Sequence, residues 1–267
     1  MLNLQQLAAS VCRIATEAGH FLREERKHFR RECVEEKQAH DYVSYVDKES
    51  ERRIVGALSA LLPEAGFITE EGSATYRGET YYWVIDPLDG TTNYIHDESP
   101  YCVSIALRSA EELLVGVVYE PCRDECFYAW KGGGAFLNGA KIHVSDVREA
   151  EKAFVFAELP YNHLQYKQTA LHLIDRLYGK VGGIRMNGSA AAAICYVANG
   201  RYDAWAEAFI NRWDYSAGAL IVMEAGGKVT DFYGNSNFME GHHIIATNGH
   251  LHSLYRELLA EMLPLNL

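Results

Sequence analysis

The chain has 267 residues, of which 48% are hydrophobic and 23% are charged, a balance typical of a globular protein with a sizeable core. Its formal net charge of −11 argues against binding to nucleic acid, whose phosphate backbone requires clustered lysine and arginine. No apolar run approaches the roughly 20 residues of a transmembrane segment, and the N-terminus lacks the pattern of a signal peptide. We therefore expect a cytoplasmic protein that has no transmembrane segment and does not bind nucleic acid.

The six cysteines are scattered along the chain. Cys122 and Cys126 have the spacing of half a zinc site. No second Cys or His pair stands at complementary spacing, although His242 and His243 are adjacent. We interpret the cysteines as reduced structural thiols.

Periodicity predicts the elements of the first half. Apolar residues at helical spacing indicate a long amphipathic helix over residues 3–28, and the charged stretch up to Lys37 is interpreted as its end and a solvated turn. Residues 42–46 are β-like and precede a second helix around residues 54–62, which Pro63 ends. An antiparallel-looking series of strands follows, with turns at residues 132–134 and 138–139, and covers residues 67–69, 81–85, 101–108, 113–119 and 125–129.

From about residue 150, strands and helices alternate. The predicted strands are residues 153–157, 202–206, 228–230 and 243–246. The predicted helices are residues 165–178, 189–197, 213–225 and 251–262. Such alternation predicts an α/β layer. We expect an α+β first half, residues 1–148, packed on an α/β second half, residues 149–267, as one compact unit.

The most informative segment is Trp83–Asn93, WVIDPLDGTTN. A buried strand brings Asp86 and Asp89 to its end, where Pro87 is expected to stop ladder pairing and Gly90 permits a sharp turn. Carboxylates at a strand end, beside a glycine turn with free N–H groups, can hold cations next to a phosphate. Asp-Pro and Asp-Gly are also ordinary turn dipeptides, so this segment alone leaves both interpretations open.

Residues 86–93 resemble the signature of the inositol monophosphatase family of magnesium-dependent, lithium-sensitive sugar phosphatases. Two further segments follow the family order: residues 69–72, TEEG, resemble its Glu-Glu element, and residues 213–218, WDYSAG, resemble its Trp-Asp element. Asp47 and residues 188–190 are weaker points of likeness. The resemblance implies a layered α/β/α/β/α sandwich of the inositol monophosphatase and fructose-1,6-bisphosphatase type, acting as a homodimer on a phosphorylated polyol.

The resemblance also implies a metal site. It assigns one ion to Glu70, Asp86 and the main-chain carbonyl of Leu88, and a second to Asp89 and Asp214, with Asp86 bridging. A third, weaker ion would share Glu70, so two or three Mg²⁺ ions are expected. The sequence offers oxygen ligands and no His or Cys cluster, which favours Mg²⁺ over zinc.

The implied catalytic pair is Asp47 and Thr91, which would activate a water molecule. The implied phosphate contacts come from main-chain N–H groups at a predicted helix start, over residues Gly90, Thr91 and Thr92. The implied contacts to the ring hydroxyls come from Asp89, Gly188, Ser189, Ala190 and Glu207. Alternatives remain for single residues. Asp47, Thr91 and Asp214 could be helix caps, Glu70 could belong to a solvated loop, and Glu207 could be an exposed acid.

The predicted function is Mg²⁺-dependent hydrolysis of an inositol monophosphate, free or part of a larger compound. Two rivals share the chemistry. Phosphoadenosine-phosphate phosphatases usually carry Lys-Glu where this chain has Thr92-Asn93, and Arg212 weakly favours a fructose-1,6-bisphosphatase. Arg212 would contact a second anionic group or pair with an acid, and Asn211 stands where animal members have His. A regulatory binding protein on the same scaffold is the non-enzyme alternative.

Overall fold

The computed structural model describes residues 2–30, 32, 34–38, 41–158, 167–236 and 238–260. The seven helices of this part of the chain are α1 Leu4–Arg26, α2 Tyr45–Leu61, α3 Thr91–His96, α4 Lys167–Leu177, α5 Ala190–Ala198, α6 Arg212–Glu224 and α7 His252–Ala260. None of the helices described is both long and apolar enough to cross a membrane.

The strands form two large sheets and one two-stranded ribbon. The ribbon pairs β1 Val34–Gln38 with β2 Asp41–Ser44. The seven-stranded sheet has its strands in chain order and contains β3 Gly66–Thr69, β4 Tyr81–Asp89, β5 Cys102–Ser109, β6 Leu113–Glu120, β7 Glu125–Trp130, β8 Gly134–Leu137 and β9 Ala140–Ile142. The five-stranded sheet has the order β11-β10-β12-β14-β13 and contains β10 Phe154–Phe156, β11 Gly183–Arg185, β12 Ala204–Ala208, β13 Lys228–Thr230 and β14 His243–Thr247.

Five layers result, because each sheet is covered on both faces. α1 and α2 pack on the outer face of the seven-stranded sheet. α5 and α6 lie between the two sheets, where their apolar side chains share one buried cluster with both. α4 and α7 cover the other face of the five-stranded sheet. The α/β/α/β/α sandwich is therefore confirmed.

The central layer lies close to the first sheet because small residues line the contact. A Cβ on Gly116 of β6 would lie 2.6 Å from the carbonyl oxygen of Ala217 in α6. Ser104 of β5 donates a hydrogen bond to the carbonyl oxygen of Trp213, 3.1 Å away. These contacts fix the first turn of α6, with Asp214, beside the end of the sheet.

Two details of the first sheet differ from the sequence prediction. β3 pairs with β4 in parallel, with Thr69 opposite Ile85, whereas an antiparallel pair was expected. The ladder also continues past Pro87, since a bulge separates the pair Asp86–Ser104 from the pair Asp89–Cys102. A bulge leaves its extra residues outside the ladder, so the missing N–H of Pro87 costs no strand hydrogen bond.

Other element boundaries also differ from the predicted ones. α2 begins at Tyr45, well before the predicted start, because Ser44 caps it. The charged stretch contains strand β1, and β11 was not predicted. The predicted residues 165–166, 261 and 262 lie outside the described residues, as does Cys33, and the other five cysteines are free. The predicted division at residue 148 falls between β9 and β10 and stays a prediction.

Candidate active site

Three carboxylates meet where β4 ends against the first turn of α6. Asp86, Asp89 and Asp214 each contribute one oxygen to a group whose atoms all lie within 4.8 Å of one another. Asp86 and Asp89 are buried, and Asp214 is half-buried. Within the described part of the chain, these residues are the one group of His, Cys, Asp or Glu side chains close enough to hold a metal ion.

The electrostatics of this group fit a bound cation. Burial, followed by the charges of Glu70, Asp89 and Asp214, raises the pKa of Asp86 well above its ordinary value. Burial and then Asp89 and Glu70 do the same to the pKa of Asp214. Carboxylates that are buried away from water and repel one another are stabilised by a divalent ion between them. An all-oxygen donor set suits a hard ion such as Mg²⁺, so the residues present fit the metal that the sequence predicts.

Glu70 reaches the cluster because β3 and β4 are parallel. It directly follows β3, and its main-chain N–H donates to the carbonyl oxygen of Ile85, 3.2 Å away. Its carboxyl interacts with that of Asp86. Parallel strands bring their carboxyl ends to the same edge of the sheet, so an acid after each strand lies beside the other.

The segment after Asp86 is folded back on itself. The N–H of Leu88 donates to Oδ1 of Asp86 at 2.9 Å. The carbonyl oxygen of Leu88 lies 2.9 Å from Oγ1 of Thr91 and is one of two acceptors for its proton. A carbonyl oxygen has a second lone pair, so this hydrogen bond leaves Leu88 able to serve as a main-chain metal ligand. That role stays a prediction.

Thr91 also lies beside Asp47. Its Oγ1 is 3.2 Å from Oδ1 of Asp47, a buried residue. The other oxygen of Asp47 accepts from the N–H of Ser44 at 2.8 Å and from its hydroxyl at 2.7 Å. Asp47 is thus the acid of a capping box in the first turn of α2, and it contacts Thr91 as well. Burial raises the pKa of Asp47.

Gly90 links these groups to the second half of the chain. Its φ of +88° is a left-handed conformation that favours glycine. A Cβ there would lie 3.0 Å from the carbonyl oxygen of Pro100 and 3.3 Å from Cβ of Ser189. Thr92, the next predicted phosphate contact, has an exposed side chain in the first turn of α3.

The predicted substrate turn lies against Asp89. Ser189 is the N-cap of α5, and its hydroxyl donates to Oδ2 of Asp89. The N–H of Ala191 donates to the same oxygen at 3.0 Å. Gly188, with φ +71°, packs against the Asn93 side chain. Burial raises the pKa of Asp89 to about 6, against the opposing effect of Ser189. Ala190 is the first residue of α5.

Glu207 lies on β12 and is half-buried. Burial, then the charges of Glu158, Asp214 and Asp89, raises its pKa well above the ordinary value. Glu158 also belongs to the candidate site, although no role was predicted for it. It is buried, accepts from the N–H of Asn187 at 3.2 Å, and has its pKa raised by burial to about 7. Its only sequence signal is an acid directly after a predicted strand.

Two further residues organise the site. Asn93 donates from Nδ2 to the carbonyl oxygens of Pro100 at 2.8 Å and Asn187 at 2.7 Å, which joins the two halves of the site. Asn211 caps α6, and its N–H donates to Oδ2 of Asp214 at 2.9 Å. Asp214 therefore completes a capping box at the third position of the helix instead of being the N-cap itself.

Comparison with known proteins agrees with this geometry. The model of the inositol monophosphatase family matches residues 3–263. Nus factor SuhB of Pseudomonas aeruginosa is 43% identical over 220 residues, 80% of this chain and 81% of that protein. Inositol-1-monophosphatase of Rhizobium meliloti is 36% identical over 229 residues, 84% and 85% of the two chains. The crystal structure of extragenic suppressor protein suhB from Bartonella henselae superposes with a TM-score of 0.90 at 35% identity, covering 97% of this chain and 100% of that one. The chain belongs to the inositol monophosphatase family.

Proposed function

We propose that this protein is a Mg²⁺-dependent phosphomonoesterase that releases phosphate from an inositol monophosphate. The observation that carries the proposal is the convergence of Asp86, Asp89 and Asp214 within 4.8 Å, beside a Glu70 carboxyl that interacts with Asp86. Phosphate monoesters hydrolyse very slowly without catalysis. With divalent cations bound, a carboxylate cluster of this kind would place concentrated positive charge against the phosphate.

In the proposed mechanism, two or three Mg²⁺ ions would be held by Asp86, Asp89, Asp214, Glu70 and the Leu88 carbonyl. A divalent cation, when bound there, stabilises negative charge on phosphate oxygens and makes water more acidic. The protein's own task is to fix the geometry of the attack, because a reacting group must be held close to its final orientation.

Thr91 and Asp47 would orient the attacking water. A threonine hydroxyl donates one hydrogen bond and accepts two. Its single proton has two acceptors within reach, the Leu88 carbonyl at 2.9 Å and Asp47 at 3.2 Å. With that proton directed towards Asp47, and the Leu88 carbonyl left to the metal, Thr91 would accept a hydrogen bond from water and hold it in line with the phosphorus. The main-chain N–H groups of Gly90 and Thr91, with the Thr92 side chain, would bind the phosphate oxygens.

Two acids that interact electrostatically with Asp89, Glu207 and Glu158, support a polyol substrate. Glu207 and Glu158 have raised pKa values because they are buried near other carboxylates. A carboxylate can accept hydrogen bonds from two neighbouring hydroxyls of a ring. Glu207, with the Gly188-Ser189-Ala190 turn, is therefore proposed to bind the inositol ring and select it.

The experiment is a panel of phosphate esters assayed for phosphate release with Mg²⁺. Inositol 1-phosphate should have the highest kcat/KM, above fructose 1,6-bisphosphate and phosphoadenosine phosphate. A clear preference for either of the latter two would replace the inositol substrate by that rival. No hydrolysis of any ester would leave the binding protein as the remaining function.

The name of the Pseudomonas relative, Nus factor SuhB, favours one second candidate function, a regulatory binding role on the same scaffold. Replacing Asp86 by Asn should abolish hydrolysis and leave such a role intact.

We also propose that the protein is a cytoplasmic homodimer inhibited by lithium. Sedimentation and a lithium titration of phosphate release test the last two properties.

A further inference from the structure

Helix α2 carries three fully buried polar side chains on the face that it turns towards the site: Asp47, Ser50 and Glu51. Residues three or four apart lie on the same side of an α-helix. Asp47 contacts Thr91, and the Ser50 hydroxyl donates to the carbonyl oxygen of Pro87 at 3.2 Å. The third residue, Glu51, has no part in the mechanism described above.

Both oxygens of Glu51 bind main-chain amides of the segment after β3. Oε2 accepts from the N–H of Glu71 and Oε1 from the N–H of Ser73, each at 2.8 Å. The two donors flank Gly72, whose φ of +71° is a left-handed conformation that favours glycine. Hydrogen bonds from amides to a carboxylate are among the strong ones, so Glu51 ties this segment to α2.

The tied segment begins with Glu70. On one side, Glu70 is fixed by the hydrogen bond of its N–H to Ile85, 3.2 Å long. On the other side, residues 72–80 form no helix or strand and are mostly exposed. The contacts of Glu51 therefore lie where the chain leaves the sheet for this loop. They attach the start of the loop to α2, at the residues that directly follow Glu70.

We propose that Glu51 is a positioning residue that holds Glu70 against the carboxylate cluster and so sets the affinity of the protein for Mg²⁺. This inference rests on the proposed function, because it takes Glu70 as a metal ligand. Glu51 acts through the amides of Glu71 and Ser73 and makes no contact with substrate. Partners that orient metal ligands typically change metal affinity by about 10- to 100-fold when they are removed.

The test is Glu51→Gln, measured by calorimetric Mg²⁺ titration and by the Mg²⁺-dependent rise in Tm. Glutamine keeps the size of the side chain, but its NH₂ group cannot accept a hydrogen bond, so one loop amide loses its partner. We expect Mg²⁺ to bind at least about tenfold more weakly. The Mg²⁺ concentration for half-maximal phosphate release should rise equally, while kcat at saturating Mg²⁺ stays within about threefold of the wild type.

Glu120→Gln is the matched control. Glu120 on β6 is equally buried, but it accepts a hydrogen bond from Tyr196 and not from the loop. This variant should keep the Mg²⁺ affinity of the wild type. Equal Mg²⁺ affinities for Glu51→Gln, Glu120→Gln and wild type would overturn the inference and leave Glu51 a structural residue.

Two other results remain decisive. If Glu51→Gln does not fold, Glu51→Asp keeps the charge and withdraws it from the amides by one methylene. Weakened Mg²⁺ binding by this variant supports the inference, and unchanged binding overturns it.

Wild-type protein that binds no Mg²⁺ overturns the proposed function and this inference together. That failure is recognised because it occurs in the wild type and not in the variants.

Discussion

Asp89→Asn should stabilise the metal-free protein while it removes activity. The folded environment raises the pKa of Asp89 from 3.8 to about 6, a difference of about two pKa units. At about 1.4 kcal/mol per unit, the ionised carboxylate destabilises the folded protein by up to about 3 kcal/mol above pH 6. Asparagine removes the charge and can still accept from Ser189 and Ala191. We expect a gain of about 1–3 kcal/mol in the free energy of unfolding.

The sign of the pH dependence follows from the raised pKa. Between pH 3.8 and about 6, the folded protein keeps a proton on Asp89 that the unfolded chain releases. The stability of the wild type therefore falls as pH rises through this window, and the advantage of Asp89→Asn should shrink as pH falls from 6 towards 4. Urea unfolding in EDTA at several pH values measures this difference.

Mg²⁺ should reverse the order of the two proteins. A ligand that binds only the folded state adds about 2.7 kcal/mol of stability at 100 times its Kd, and the variant lacks a carboxylate proposed to bind it. Asp175→Asn, the same change at an exposed position of α4, is the control and should shift stability by less than about 0.5 kcal/mol. A metal-free Asp89→Asn variant no more stable than wild type at pH 8 would refute the electrostatic reasoning.

Three further variants test other parts of the site. Thr91→Val should lower kcat by at least about 100-fold with a stability loss of only about 1 kcal/mol, measured by turnover and melting temperature on one preparation. A large stability loss with normal kcat would make Thr91 a cap only. Glu207→Gln should lower kcat/KM for inositol 1-phosphate by the equivalent of roughly 1–3 kcal/mol of transition-state stabilisation, and kcat/KM for a small aryl phosphate should fall less. Equal losses for the two substrates would assign Glu207 to the metals or the fold. Gly90→Ala should cost about 1–3 kcal/mol of stability, because Gly90 has φ +88° and a Cβ would lie 3.0 Å from Pro100 O. A melting temperature equal to that of wild type would contradict this explanation.

The proximity of the three aspartates was the feature of the candidate site that the sequence predicted best. Asp86 and Asp89 lie three residues apart on one strand, so their proximity is a local property. Asp214 and Glu70 were identified through the resemblance to a family, because periodicity shows that an acid ends or begins an element and does not show which element lies beside it. The parallel pairing of β3 with β4, which brings Glu70 to Asp86, was itself predicted wrongly.

The supporting residues were harder to predict. Glu51 is an acid within an amphipathic helix, where a charge is ordinarily a solvated side chain, yet it is fully buried. Its partners are main-chain N–H groups, which carry no side-chain signal in the sequence. Glu158 likewise depends on its position after β10, beside the turn at Asn187. Contacts of these kinds depend on tertiary packing, which local patterns do not encode.

Asp47 shows that a helix-capping contact does not prevent a second contact within the candidate site. From the sequence, Asp47 could be either a helix cap or a catalytic residue. In the structure its two carboxylate oxygens make separate contacts. One oxygen faces the Ser44 cap and the other lies 3.2 Å from Thr91. The cap contact fixes the orientation in which Asp47 meets Thr91, so the structural contact supports the proposed catalytic one.

The most direct test of the central claim is a Mg²⁺ titration of phosphate release from inositol 1-phosphate, with the Mg²⁺-dependent rise in Tm measured in parallel. We predict that both signals increase over the same range of Mg²⁺ concentration. Asp86→Asn should lose both and remain folded, since the charge of Asp86 opposes folding. Phosphate release that persists in EDTA, or an Asp86→Asn variant with the wild-type Mg²⁺ dependence, would contradict the assignment of this cluster as the catalytic metal site.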